Sequence, residues 1–372
     1  MPLEKQTFMS GLTLLLLLCA NAPQESELDR ILRLSKQERR NSKTEEEYVK
    51  SIREVRKALE NYLQANPTAP DRAKASWFHA ESHLYTMEFS HAIAAFDDFT
   101  QKYPQDKLVA TAKFAAAEIC MRLERDKEAR KRLLSWRQEF PNDDRVFQVR
   151  IFLAALLIFE KKFEDAASAL DQLRQSRKGS PEEWTAAMQL AACHHVAEKN
   201  ADAIKVLKDI SENCPDKKLA QTAQQYQEEY SKLNRPLPSK KEKDKEGQTL
   251  HLGEHIGKVV VLYFYTSRLP VAESEVEFLR KTYAHFKGKD FVILGICVDP
   301  ERRDFLTFRR VHNVPWTLYY DGAGRHGYLA RLYAVGGIPD LRVLDRKGTL
   351  RFYNVSGRDL RIAVEKLLSE SQ

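Results

Sequence analysis

Ala92-Ile93-Ala94-Ala95-Phe96-Asp97-Asp98-Phe99, followed by Pro104, is the stretch whose pattern decides the architecture. Ala92, Phe96 and Phe99 share one helical face, and a proline soon after cannot continue the hydrogen-bond ladder. The pattern returns every 37 residues. Ala92 is followed by Ala129, Ala166 and Ala203, and Phe96 by Leu133, Leu170 and Leu207. Phe99 is followed by Trp136, Leu173 and Ile210, and Pro104 by Pro141 and Pro215, with Lys178 breaking that series. Upstream, Ala80, Ala117, Ala154 and Ala191 keep the same step. Trp77, Ala80 and Leu84, like Phe114, Ala117 and Met121, then mark a first helix in each unit.

Small residues on two ladders let paired helices approach closely, and the larger ladders fill the space between units. Each unit leaves an apolar face that only its neighbour covers, which predicts a solenoid. This arrangement resembles the tetratricopeptide (TPR) repeat, through Ala-x-x-x-Phe at 92–96, Ala80 before it and Pro104 after it. The period of 37 exceeds the ~34 of that family. His83, Cys120, Leu157 or His194 stands where the family carries Tyr. Leu59, Tyr62 and Pro67 mark a weaker preceding unit, and Leu219 to Leu233 a capping helix. The α-solenoid is expected over 27–234, with 37-residue repeats at about 70–217. The resemblance implies a concave surface for a protein or peptide partner. A spacer or self-associating rod is the alternative. Cys193-His194-His195 invites a metal reading, but adjacent residues point apart on a helix. His195 follows Leu84, Met121 and Ile158 and reads as a core residue.

The remainder of the chain frames these repeats. Lys5, an apolar run from Phe8 to Cys19 and Ala20-Asn21-Ala22 read as an export signal over 1–22. A short uncleaved anchor and a lipid anchor on Cys19 stay open, and either would be the chain's membrane contact. The expected location is periplasmic or elsewhere in the cell envelope. Arg235-Pro236-Leu237-Pro238 ends the helical part, and the charged residues to 248 read as a solvated linker, 235–248. From Thr249, Val259–Tyr265 and Phe291–Val298 read as buried strands, each followed by a helix. A hairpin about Asp345-Arg346-Lys347-Gly348 and a last helix then complete an α/β domain over 249–372. The fold class is thus multidomain: an all-α helical-repeat solenoid followed by an α/β domain.

That domain resembles the thioredoxin superfamily, in particular the exported thiol–disulfide reductases of the TlpA and ResA kind and the neighbouring redoxins. The matching residues are Gly257 to Tyr265, Gly295-Ile296-Cys297-Val298-Asp299, Tyr333-Ala334-Val335-Gly336-Gly337-Ile338-Pro339 and Leu344 to Gly348. The resemblance implies a cis bond at Ile338-Pro339 facing the active site. It also implies a Cys-x-x-Cys at the start of the helix after the first strand, where the helix terminus favours the attacking thiolate. Those two positions hold Leu269 and Ala272, and the peroxiredoxin position holds Glu273. Leu and Ala cannot be nucleophiles, so no catalytic residue is assigned and a pseudoenzyme is expected. Cys297, mid-strand, reads as a buried structural thiol. Thr266, Ser267 and Arg268 occupy the active-site loop. Arg268, Gly337, Ile338 and Pro339 are the expected peptide-binding residues, since backbone beside the proline can pair with an extended chain.

The chain has 372 residues, 30% charged and net +7, which excludes a multi-span membrane protein and a fully disordered chain. Five cysteines exclude a disulfide scaffold. The last domain holds 19 basic residues interleaved with 14 acidic ones, so nucleic-acid binding is not expected. No cofactor, metal cluster or phosphate loop is read. The function expected is an exported interaction protein. The alternative is a thiol–disulfide oxidoreductase, TlpA-like or peroxiredoxin-like, taking part in cell redox homeostasis through a non-standard or partner-supplied thiol.

Overall fold

A computed structural model describes residues 26–42, 44–244, 249–268 and 271–370. The export-signal expectation, Cys19 included, lies outside the described residues. The chain divides into two compact units, 1–149 and 150–372.

The first unit contains α1 (Glu27–Asn41), α2 (Glu45–Ala65), α3 (Arg72–Tyr85), α4 (Phe89–Lys102), α5 (Val109–Arg122) and α6 (Asp126–Glu139). The unit boundary falls within α7 (Val146–Phe159). In the second unit, α8 (Phe163–Ser176), α9 (Pro181–Val196), α10 (Asn200–Asn213) and α11 (Lys217–Tyr230) continue the helical series. All four apolar ladders are buried. Trp136 also donates its indole N–H to the Ala110 carbonyl at 2.7 Å, satisfying its one polar atom. Where Lys178 breaks the proline series, Pro181 opens α9 at its first turn, the position that tolerates proline.

A further ladder appears only in three dimensions. Met87, Glu124, Lys161 and Glu198, each 37 residues from the last, all adopt left-handed φ values of 56–60°. The residue after each donates its N–H back to the preceding helix, Glu88 to His83 and Arg125 to Cys120, both at 2.9 Å. This is the helix-ending turn that normally selects glycine, and here no glycine occupies it.

The two alanine ladders are buried along their whole length. Ala203 has no exposed surface. Ala203→Val is expected to destabilise the second unit by about 1–3 kcal/mol through overpacking. Urea unfolding checks this, and an unchanged midpoint would mean that the helix pair has slack.

The C-terminal part of the second unit is a mixed five-stranded sheet. Its strands are β3 (Val259–Tyr265), β4 (Phe291–Cys297), β5 (Thr317–Tyr320), β6 (Asp340–Leu344) and β7 (Leu350–Tyr353), in the order β5-β4-β3-β6-β7. β3, β4 and β5 are parallel, and β6 and β7 antiparallel. Every residue of β3 is buried, as its unbroken apolar run requires of a central strand. The helices are α12 (Val271–His285), α13 (Arg302–His312), the short α14 (Tyr328–Leu332) and α15 (Gly357–Ser369). The fold is thioredoxin-like. β5 was not expected from sequence, because four residues after Pro315 give too little alternation to register as a strand.

Residues 235–244 are largely exposed, yet the backbone is anchored. Leu350 donates to Arg235 at 3.0 Å, and Leu237 donates to Gly348 at 3.1 Å. β1 (Glu242–Lys243) pairs with β2 (Thr249–Leu250). Buried Asp244 accepts the Tyr320 N–H at 2.9 Å, and Tyr333 donates its hydroxyl to Pro238 at 2.9 Å. The polar composition reports the side chains and does not register these backbone ties.

Candidate functional site

The parallel pair β3 and β4 ends at the loop that would carry chemistry in a thioredoxin-like fold. Fully buried Asp299, two residues past β4, organises that loop. It accepts the Ser267 N–H at 3.0 Å, the Thr266 hydroxyl and the Cys297 thiol, the last at 3.3 Å. Thr266 and Ser267 therefore serve to hold the loop. Arg268 projects outward, about half exposed, and pairs with Asp304 of α13 at 2.8 Å. That guanidinium holds the Asp304 carboxyl below its usual range. Leu269 lies outside the described residues, and Ala272 lies in the first turn of α12.

No described cysteine is poised as a nucleophile. Cys120, Cys193, Cys214 and Cys297 are free thiols. Burial pushes Cys297 far above the usual thiol range, and the neighbouring Asp299 charge adds to the shift. Burial likewise raises Cys120 to about 11 and Cys193 to about 12, and shifts Cys214 upward. The thiolate is the reactive form, and burial disfavours it at all four.

The Ile338–Pro339 bond is cis, as the resemblance implies. Gly336 is exposed, and Gly337, Ile338 and Pro339 are half-buried. Gln225 of α11 lies over this segment: a Cβ on Gly336 or Gly337 would stand 3.2 or 3.4 Å from its amide nitrogen. The next residue, Tyr226, meets Tyr353 edge-on at 5.9 Å and hydrogen-bonds to Asn354. The last helices of the repeat series thus pack directly on the thioredoxin-like domain.

That contact contains a cluster of buried charged groups. Arg342 forms a two-pronged bond to Asp340 at 2.8 and 3.0 Å and lies 3.7 Å from Glu229 of α11. All three are buried. Burial raises the Asp340 carboxyl, and Arg342 draws it back in part. Nearby, His195 of α9 is stacked on Tyr230 with centroids 4.0 Å apart. Its Nε2 accepts the Tyr353 backbone N–H at 3.1 Å, so Nδ1 carries the proton and donates to Asn200 at 2.9 Å. His195 is a core residue, as its place on the ladder suggests, but its partner is strand β7. Around it, Arg351 contacts Glu198, Asp345 and Glu370, and Lys366 contacts Glu198. No spacing rule finds the pairs made by Glu198, whose Arg351 partner is 153 residues away.

Comparison with known proteins follows the same division. Residues 233–353 match the AhpC/TSA family, and residues 155–217 match the tetratricopeptide repeat. The chain is similar to Peroxiredoxin Bcp of Bacillus subtilis, 30% identical over 90 residues (24% of this chain, 57% of that protein). It is similar to the chloroplastic Peroxiredoxin Q of Populus jackii, 31% identical over 135 residues (34% of this chain, 62% of that protein). Nucleoredoxin of Mus musculus is 31% identical over 105 residues (27% of this chain, 24% of that protein). The chain thus spans less than two thirds of the length of each of these relatives. Among solved structures, the thioredoxin domain of a thiol-disulfide oxidoreductase from Bacteroides vulgatus is 24% identical with a TM-score of 0.34. That match covers 37% of this chain and 98% of the other. A thioredoxin-family thiol:disulfide interchange protein from Chlorobium tepidum is 18% identical with a TM-score of 0.33, covering 37% and 97%. The protein therefore carries tetratricopeptide-type repeats and a C-terminal redoxin-type, thioredoxin-like domain.

Proposed function

We propose that this is an exported, redox-inert interaction protein. Its functional parts are the signal at 1–22, the repeats at 27–234, the linker at 235–248 and the thioredoxin-like domain at 249–372. The repeats take a protein or peptide partner, the use to which stacked helical repeats are suited. The thioredoxin-like domain takes extended polypeptide along Arg268, Gly337, Ile338 and Pro339. Gln225 covers the Gly336–Gly337 flank, so an incoming strand displaces it. One observation carries the redox-inert reading: Leu269 and Ala272 stand at the family's cysteine positions, and the domain's one thiol, Cys297, is 1% exposed and strongly raised.

The competing reading is an oxidoreductase, which the names of the relatives favour. It needs Cys297 or a partner's thiol to become a thiolate. A thiol-trapping experiment on the native full-length protein separates the two. Residues 249–372 are expected to take up no label until denaturant is added, and to reduce neither insulin nor peroxide. Reductase activity lost on Cys297→Ser would overturn the proposal.

A further inference from the structure

One repeat departs from the others where its two helices meet. His83 of α3, Glu88 of the turn and His91 of α4 each offer a ligand atom, and these lie within 4.8 Å of one another. His83 Nδ1 is 2.9 Å from Glu88 Oε2, and the two imidazoles are stacked 5.5 Å apart. The later repeats carry Cys120, Arg125 and Glu128, then Leu157, Lys162 and Asp165, then His194, Lys199 and Asp202 at these positions. Each of those sets has a cation in the middle and an acid at the end. In the set at 83, 88 and 91 both are exchanged, so that all three side chains can ligate a metal.

We propose that His83, Glu88 and His91 bind a borderline divalent cation of the zinc class. Two imidazole nitrogens and one carboxylate suit zinc, which takes three such protein ligands and leaves its fourth position to water. Bonds of ~2.0–2.2 Å set tetrahedral ligand atoms ~3.4 Å apart, so the group contracts on binding. His91 is exposed and can turn inward, and it also gives the ion its way in. His83 is buried and Glu88 is already oriented. Arg56 bonds Glu88, and Arg53 lies 3.6 Å from its other oxygen. They steer the carboxylate as outer partners do, while their charge lowers the affinity. His79 is a neighbour only, edge-on to His83 at 5.0 Å and 3.3 Å from Glu60.

The test is a calorimetric titration of untagged, chelator-stripped full-length protein with zinc chloride. One site is expected. His83→Gln and His91→Gln should each weaken it by at least ~10-fold, the loss that even an outer partner can bring. His79→Gln should leave it within about two-fold, the mark of a neighbour outside the ligand shell. Cobalt in place of zinc should give a visible d–d band that the same two variants abolish. His83→Gln keeps a donor for Glu88. If it nonetheless unfolds, the exposed His91→Gln decides alone. Equal titrations of wild type and His91→Gln, or no binding by wild type, would overturn the proposal.

Discussion

Arg342→Ala is expected to destabilise the second unit by about 3–5 kcal/mol. The guanidinium is 2% exposed and lies beside two buried carboxylates, Asp340, which it bonds directly, and Glu229, which also bonds Lys232 at 2.6 Å. Removing it leaves the buried Asp340 charge without its cation and Glu229 with Lys232 alone, which costs far more than the net worth of the ion pair. Glu229 Oε2 already lacks a hydrogen-bond partner and tolerates no further loss. The effect should reverse if all three residues are exchanged for apolar ones of similar volume, since no unpaired charge then remains. Urea unfolding reads both variants. A loss below about 1 kcal/mol for Arg342→Ala would mean that water reaches the site after truncation. Because Glu229 belongs to α11 and Arg342 to β6, the same variant should loosen the docking of the helical repeats on the sheet.

The second large effect is on pH. Burial holds His195 neutral, lowering its pKa from 6.5 to about 4, with the Asn200 amide oxygen opposing the shift in part. The folded value is thus below the unfolded one, and the unfolded chain takes up the proton first. The stability contributed by neutral His195 is fully present above pH 6.5. It falls as pH drops through the window from 6.5 to about 4. At 1.36 kcal/mol per unit the loss amounts to roughly 3 kcal/mol. His195→Gln supplies an acceptor for Tyr353 and a donor for Asn200 without a titrating group. Its stability between pH 4 and 6.5 should therefore fall less steeply than that of wild type. Parallel curves for the two proteins would assign the pH dependence to other groups.

The repeats and the first strand were legible because each depends on a local property. The buried ladders are periodic, and periodicity survives without coordinates. Val259–Tyr265 is a continuous apolar run, which marks a strand buried on both faces. That no cysteine lies between Cys214 and Cys297 was equally plain, because residue identity needs no coordinates. The left-handed turns at Met87, Glu124, Lys161 and Glu198 were not visible. Their usual signal is glycine, and the local structure holds other residues there. Nor was the grouping of His83, Glu88 and His91, whose ligands come from two helices and the turn between them.

By itself, the sequence determined that helical repeats precede an α/β domain, and it set the expectation that Leu269 and Ala272 stand at the family's cysteine positions. Hydrophobic period and residue identity are one-dimensional, and each acts within a few turns of chain. Only the tertiary structure decided how the second unit is joined: His195 against Tyr353, Glu229 against Arg342 and Gln225 over Gly336 and Gly337. It also decided that Cys297 is buried beside Asp299, and so held as a thiol. These outcomes rest on desolvation and on polar pairs formed across more than a hundred residues, or, for Cys297, on what the rest of the fold places over one strand. Desolvation has no value until the chain has closed around the group concerned.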